Sequence, residues 1–379
     1  MYIQELAREL GRKGHFVDIY TRAHQSEHEP LINLGQNTRL IHLDAGEGEI
    51  PKIAVYCQLQ KFICSLENFR KQSSLHYDLI HSHYWLSGLA GGQLRVWWHV
   101  PHIVMFHTLG AVKNRIGIGE NEPELRIESE RDVVADCERI VAATMGEREE
   151  LIHHYDASAR KISIIPCGVN LDLFKPLEKE IALKELGLDH QKVILFVGRM
   201  DPLKGLSQLF MALTQLTGDD VPRLIVVGGD DHSRAEIQAL RGLAKKLRIQ
   251  KQVSFIGAVA QERLPLFYSA ADICIIPSYY ESFGMVALES LACGTPVVAT
   301  DVGGMRGIIR HGEMGYIAPS NSPRHLSSKI AQLLSQRGGS VERRRAMIAE
   351  FSWGNIADMV LREYNGVLRQ YSHRVNPCP

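Results

Sequence analysis

The run ADICIIPSYYESFGMVALESLACGTPVVATDVGG, residues 271–304, decides the fold. It opens with a short apolar stretch that ends at Pro277–Ser278, too short for a helix and bounded by turn chemistry, so it reads as a buried strand. A helix begins around Ser282–Gly284, and TPVVATDVGG (295–304) then supplies a second buried strand that ends in paired glycines. Strand, helix and strand within about 30 residues form a parallel βαβ unit. The same alternation continues to either side, in VILFVGR (193–199), RLIVVGGD (223–230), VSFIGAV (253–259) and GYIA (315–318). The expectation is an α/β fold with a parallel sheet covered on both faces by helices.

A second series of the same kind precedes it. MYIQELARELGRKG reads as a helix, with Ile3, Leu6, Ala7 and Leu10 at helical spacing and Gly14 to end it. FVDIY follows as a strand, and then RLIHL (39–43), DLIHSHY (78–84), HIVMFHT (102–108), RIVAAT (139–144) and KISIIPCGV (161–169). NLDLFKPLEKE (170–180) breaks the pattern with a proline and charge, and reads as an interdomain linker. FSWGNIADMVLREYNGVLRQY (351–371) is a closing helix. The expected organisation is therefore a Rossmann-like domain over 1–170, a second over 171–350, and a helical segment over 351–379 that packs back on the first. In doubly wound sheets ligands bind at the carboxyl ends of the strands, so a cleft between two facing domains is the expected site.

Bulk properties narrow the function. A chain of 379 residues exceeds one ordinary core, and 45% hydrophobic with 23% charged residues is a globular composition. The 43 basic and 43 acidic residues cancel, and the basic ones are scattered, which argues against nucleic acid as a partner. Cysteines 57, 64, 137, 167, 274, 293 and 378 include no C-x-x-C pair and sit mostly in apolar runs, as buried thiols of a reducing compartment do. There is no apolar run of about 18 residues and no signal-peptide core at the start. The expectation is a cytoplasmic protein without an integral membrane segment.

Chemistry concentrates at strand ends. In GRMDPLKG (198–205), Arg199 and Lys204 lie five residues apart on a Gly/Pro loop, where they can clamp a diphosphate or simply be two solvated cations. The helix that starts near Ser282–Gly284 offers unpaired N–H groups to an oxyanion. Glu281 precedes it and Glu289 lies eight residues on, about 12 Å away along a helix; the plain alternative is a capping and a surface glutamate. In DVGGMRG (301–307) the glycines let the backbone approach a ligand, or merely form a turn. His107 ends an apolar strand and can hydrogen-bond a ligand hydroxyl. His81 and His83 form an H-x-H with no third metal ligand in sight, which reads as structural. There is no D-x-D, so no metal is expected, and no G-x-G-x-x-G of a nicotinamide dehydrogenase.

Taken together, GRMDPLKG, the E-x7-E spacing from Glu281 to Glu289, ACGTPVVAT with DVGG, and IPCGVNLDLF (165–174) resemble the retaining glycosyltransferases of family 4, which have the GT-B fold. HSHYWLSG (81–88), FHTLGAVKN (106–114) and NEPELRIESE (121–130) resemble a narrower branch that holds the sucrose-phosphate synthases and the inositol-phosphate glycosyltransferases. The resemblance implies transfer of a hexosyl group from a UDP- or other NDP-sugar to a sugar or inositol phosphate by a front-face route, with no further cofactor and no metal. Its partners are then the nucleotide-sugar donor and a small phosphorylated acceptor, with a homodimer as one assembly open to it. Carried over by motif, His107, Arg199, Lys204 and Glu281 are catalytic. Gly198, Gly257, Val259, Ser282, Phe283, Gly284, Met285, Val286 and Glu289 join Arg199, Lys204 and Glu281 on the donor. Lys52, Tyr84, Thr108 and Arg126 hold the acceptor phosphate. Two alternatives stand beside this: a non-phosphorylated glycan or lipid-linked acceptor, and a nucleotide-sugar-binding protein without turnover. Members of the family begin with a strand and a Gly-rich loop of the type GGxxVYIxELA, whereas this chain starts at MYIQELA. Without that strand, its neighbours' edges should be unpaired and folding or activity impaired.

Overall fold

The computed structural model describes residues 2–23, 29–46, 48, 50–118, 120–188, 191–216, 222–230, 233–336 and 339–375. The chain divides into two units, one of Met1–Asn114, Glu122–Pro166 and Trp353–Pro379, the other of Arg115–Asn121 and Cys167–Ser352.

The second unit holds one parallel sheet of six strands: β8 (Val193–Val197), β9 (Arg223–Val227), β10 (Val253–Gly257), β11 (Ile273–Ile276), β12 (Val297–Thr300) and β13 (Gly315–Ala318). Their spatial order is β10-β9-β8-β11-β12-β13, the doubly wound arrangement in which strand order reverses between β8 and β11. The central strands, VILFV and ICII, have no polar residue because helices cover both faces. Ile194, Phe196, Leu224, Val226, Ile273 and Ile275 form the middle of its core.

The first unit departs from a single parallel sheet. It carries β1 (Val17–Arg22), β2 (Leu31–Gly35) and β3 (Thr38–Leu43) in the order β1-β3-β2, and β4 (Ile80–His83), β5 (His102–Met105), β6 (Arg139–Ala142) and β7 (Ile162–Ile164) as a separate parallel sheet. Strand β2 has no counterpart in the sequence reading, and it runs antiparallel to β3. The signal was the turn Gly35-Gln36-Asn37 between apolar runs; Asn37 takes a φ of 55° there. Among the described residues no hydrogen bond joins β1 to β4. Asp18 and Tyr20 of β1 and Ile80 and Ser82 of β4 instead line one cavity of about 200 Å³, against Leu6 and Leu10 of the first helix.

That helix, Tyr2–Arg12, buries Leu6, Ala7 and Leu10. It stops at Gly14, where φ is 95° and paired bonds run from Gly14 N–H to Gly11 O (3.0 Å) and from His15 N–H to Leu10 O (3.1 Å). This is a Schellman cap, which needs a residue free to adopt positive φ. The closing helix, Trp353–Val375, is tied to the first unit by Lys13–Asp358 (2.7 Å) and by His81 Nδ1 to Tyr364 OH (2.7 Å). The segment read as a linker is not loose. Phe174 is buried in the second unit and its carbonyl accepts from Arg345, and residues Lys179–Glu185 form a helix. One aromatic anchor outweighs the surrounding charge.

Candidate functional site

In the second unit the two strands at the order reversal, β8 and β11, each send out a loop that carries chemistry. After β8, Asp201 Oδ1 accepts from Leu203 N–H (2.9 Å) and caps the short turn Pro202–Lys204. Gly205 follows with φ 69°, and a Cβ there would lie 2.1 Å from Pro277 O. Only glycine lets this loop close on the one after β11. Tyr279 N–H donates to Leu203 O (2.8 Å) and completes the seam. The result joins residues 77 positions apart: Lys204 Nζ meets Glu281 Oε1 at 2.6 Å, and Ser278 Oγ donates to the same oxygen at 2.8 Å. Ser278 was not singled out from sequence, although it ends the quoted strand.

The helix Met285–Ala292 begins after Gly284, which sits at φ 120°. The start is therefore at Met285, because Ser282 and Phe283 are spent on the loop. Behind that loop stand the glycines of DVGG. A Cβ on Gly303 would come 2.3 Å from Glu281 O, one on Gly304 2.7 Å from Phe283 O, and Gly304 N–H donates to Phe283 O (2.9 Å). The pair therefore serves to seat the Glu281–Phe283 backbone. Ser282, Met285 and Val286 are half-buried, and Phe283 is buried. The first N–H groups of the helix point out over this loop, where an oxyanion is favoured.

Other sequence-chosen residues are placed less directly. Arg199 stands with its side chain 76% exposed, its guanidinium 3.6 Å from Asp201, and makes no contact with the Lys204–Glu281 pair. Gly198 is approached by the chain at Gly228, where a Cβ would lie 1.9 Å from Gly198 O. Gly257, at φ 88°, sits at a register shift of β10, and Val259 lines a hollow of about 440 Å³ with Ile256, Arg263 and Phe267. Glu289 is no surface residue. It is 4% exposed, accepts from Tyr268 OH at 2.7 Å, and burial pushes its carboxyl pKa up to about 7. It makes no contact with Glu281.

In the first unit, three acceptor-set residues come together. Arg126 Nη2 donates to Thr108 O (2.8 Å) and Oγ1 (3.0 Å), and the guanidinium carbon lies 4.9 Å over the Tyr84 ring. But Arg126, 2% exposed, is already committed: Nε to Glu130 Oε1 at 2.8 Å and Nη1 to Glu122 Oε2 at 2.9 Å. Glu130 also accepts from Gly110 N–H and from Tyr155 OH. The guanidinium expected to wait for a phosphate is thus the centre of a buried ion-pair network. Sequence reasoning missed Glu122, Glu130 and Tyr155. The Glu122–Arg126–Glu130 spacing of four was the available signal. Lys52 begins the helix Lys52–Cys57, and its side chain lies outside the described residues.

His107 follows β5 at φ 62°, a left-handed conformation uncommon for a non-glycine residue. Its Nε2 is 3.0 Å from His83 Nδ1, and the Tyr2 ring packs edge-on 5.1 Å away. Burial pushes the His107 pKa down to about 4 and that of His81 to about 3, so both are neutral at pH 7. His83 contacts His107 directly. Among the described residues no group of three or more His, Cys, Asp or Glu is arranged to hold a metal ion.

The family model Glycosyltransferase Family 4 matches residues 1–173, and Glycosyl transferases group 1 matches residues 178–351. The chain is 37% identical to the D-inositol 3-phosphate glycosyltransferase of Mycobacteroides abscessus, across 98% of this chain and 85% of that protein. Among solved structures it resembles sucrose-phosphate synthase from Thermosynechococcus elongatus, with a TM-score of 0.89 and 31% identity, covering 97% of this chain and 93% of that one. Anabaena HepE in complex with UDP and glucose shares the fold, at a TM-score of 0.73, 18% identity and 87% coverage of both chains.

Proposed function

The chain belongs to the family 4 glycosyltransferases, of GT-B fold, and on that footing we propose that it moves a hexosyl group from a nucleoside diphosphate sugar to an inositol phosphate, with retention at the anomeric carbon. The observation that carries this reading is the Lys204–Glu281 pair, held at the order reversal of the second-unit sheet. Ligands of doubly wound sheets bind there.

In this reading the donor diphosphate takes Lys204 from Glu281. Arg199, exposed and only loosely held by Asp201, swings onto the same phosphates. Lys204 supplies a point charge and Arg199 a fork. The N–H groups at Ser282–Val286 receive phosphate oxygens, while Glu281 and His107 hold sugar hydroxyls. Gly198 leaves room for the diphosphate. Glu289 takes a ribose hydroxyl on the oxygen that Tyr268 does not occupy, and Gly257 and Val259 border the base. The bond between the anomeric carbon and the phosphate oxygen breaks. The acceptor oxygen bonds to that carbon on the same face, and its proton passes to the leaving phosphate. The protein contributes position and charge stabilisation, not a nucleophile.

Tyr84, Thr108, Arg126 and Lys52 are the proposed acceptor-phosphate set, and the reaction then requires that Glu122 give way on Arg126. That commitment of Arg126 favours, as a second reading, a non-phosphorylated acceptor. Cys57, Cys64, Cys137, Cys274 and Cys293 are free thiols, and no described helix is long and apolar enough to cross a membrane. A cytoplasmic setting is proposed on the first of these, and no further cofactor is invoked. The test is release of nucleoside diphosphate from a panel of donor sugars with D-inositol 3-phosphate, inositol or a neutral glycan as acceptor, followed by NMR of the product anomer. The reading expects turnover with the phosphorylated acceptor and the donor's own anomeric configuration in the product. An inverted product refutes the front-face route, and faster turnover with a neutral acceptor establishes the second reading.

A further inference from the structure

We propose that the second unit carries a separate binding site for a phosphate-sized oxyanion, built on Arg344. A cavity of about 300 Å³ is lined by Lys192, Asp272, Pro296, Glu313, Arg343 and Arg344, among others. Lys192, Asp272, Pro296 and Glu313 precede β8, β11, β12 and β13. Lys204 and Glu281 follow β8 and β11. The strands are parallel, so this cavity lies on the opposite edge of the sheet from the transfer site.

Arg344 is 6% exposed. Its Nε donates to Gly294 O at 2.7 Å, and the N–H groups of its two terminal nitrogens meet no acceptor among the described residues. Nor does it form an ion pair among them. A guanidinium cannot relieve its burial by shedding the proton. Burial pulls its pKa down, and the charge opposing that pull is exposed Glu342. The other acids of the cavity are engaged elsewhere. Asp272 pairs with Lys179 and accepts from Val193 N–H at 2.8 Å, and Glu313 pairs with Arg343. A buried charge is stable when paired, and most costly when left alone. The cavity thus presents a fixed, desolvated fork with unused donors and room for a small anion, the geometry to which a tetrahedral or planar oxyanion binds through two parallel bonds. Its inner wall touches Gly294, just past the end of the helix Met285–Ala292, whose other end carries the Glu281 loop.

Inorganic phosphate is the probe, titrated into the full chain at constant ionic strength, with thermal melting and phosphorus NMR line width as readouts and chloride as the control. To remove phosphate binding at the transfer site, the titration is repeated in Lys204→Ala. The proposal expects a saturable rise in melting temperature and line broadening in both proteins, absent with chloride. Arg344→Gln should weaken the apparent Kd at least tenfold. Arg344→Lys, which keeps the charge and loses the fork, should also weaken it, and provides the comparison if the glutamine variant folds poorly. A response that survives in both Arg344 variants overturns the proposal, as does one lost only in Lys204→Ala, or no saturable response in the unsubstituted chain.

Discussion

At the residue scale, two clusters of charge do opposite jobs. Lys204 and Glu281 are part-buried, bonded to each other, and set on loops, so either can exchange its partner for a ligand at small cost. Arg126 is 2% exposed on a helix and carries two carboxylates, Tyr84 and Thr108. Removing one member of such a buried network leaves charges without partners, which costs about 3–5 kcal/mol. Arg126→Met should therefore lower the unfolding free energy by roughly 3 kcal/mol, measured by urea titration. A loss under about 1 kcal/mol would mean that Arg126 is held loosely enough to be a simple phosphate hook. The sequence showed both clusters unequally. Lys204 and Glu281 were each legible from their motifs, though not as each other's partner, while the paired state of Arg126 depends on Tyr155 and Gly110, which no spacing rule connects to it.

At the scale of elements, the apolar runs marked nearly every strand, because a buried parallel strand has no polar face to hide its signal. Strand β2 escaped because it is half-exposed and pairs antiparallel at an edge. The start of the helix Met285–Ala292 was read early because Ser282 and Gly284 both resemble caps; Gly284 at φ 120° is the one that serves. The glycines of the site were legible as glycines but not for their targets. Gly205 and Gly303 lie against protein backbone, at Pro277 and Glu281, rather than against a ligand. Gly205→Ala would force its Cβ onto Pro277 O, spread the loops after β8 and β11, and separate Lys204 from Glu281. We expect turnover to fall about tenfold or more, since misplacement by about an ångström is costly in catalysis. Steady-state kinetics check this, and a kcat within twofold of the unsubstituted enzyme would show that the seam between the loops does not position the site.

At the scale of the whole molecule, the two units carry opposite pH responses. Burial depresses His81, His102 and His107 to about 3, 4 and 4, and His83 in the same direction. Unfolding lets each take a proton near 6.5. Their contribution to stability is therefore complete above that pH and is lost as pH falls toward 4. Glu147, raised by burial to about 7, and Glu130, raised by burial in the same direction, oppose them in the same unit, and Glu289 does so in the other, since each favours the fold as pH drops toward 4.5. Four histidines outweigh two glutamates in the first unit. All four tryptophans, Trp85, Trp97, Trp98 and Trp353, lie in that unit, so their fluorescence reports it alone. The melting temperature followed by tryptophan emission should fall between pH 7 and pH 5, and a flat or rising profile would mean that the histidines are hydrated in solution. The central claim, that a lysine at the order reversal of the second sheet stabilises a departing diphosphate, is tested most directly by the turnover of Lys204→Ala. With a donor sugar and D-inositol 3-phosphate both saturating, release of nucleoside diphosphate should drop about 100-fold or more while the variant keeps its melting temperature within a few degrees. Turnover within about threefold of the unsubstituted chain would contradict the account.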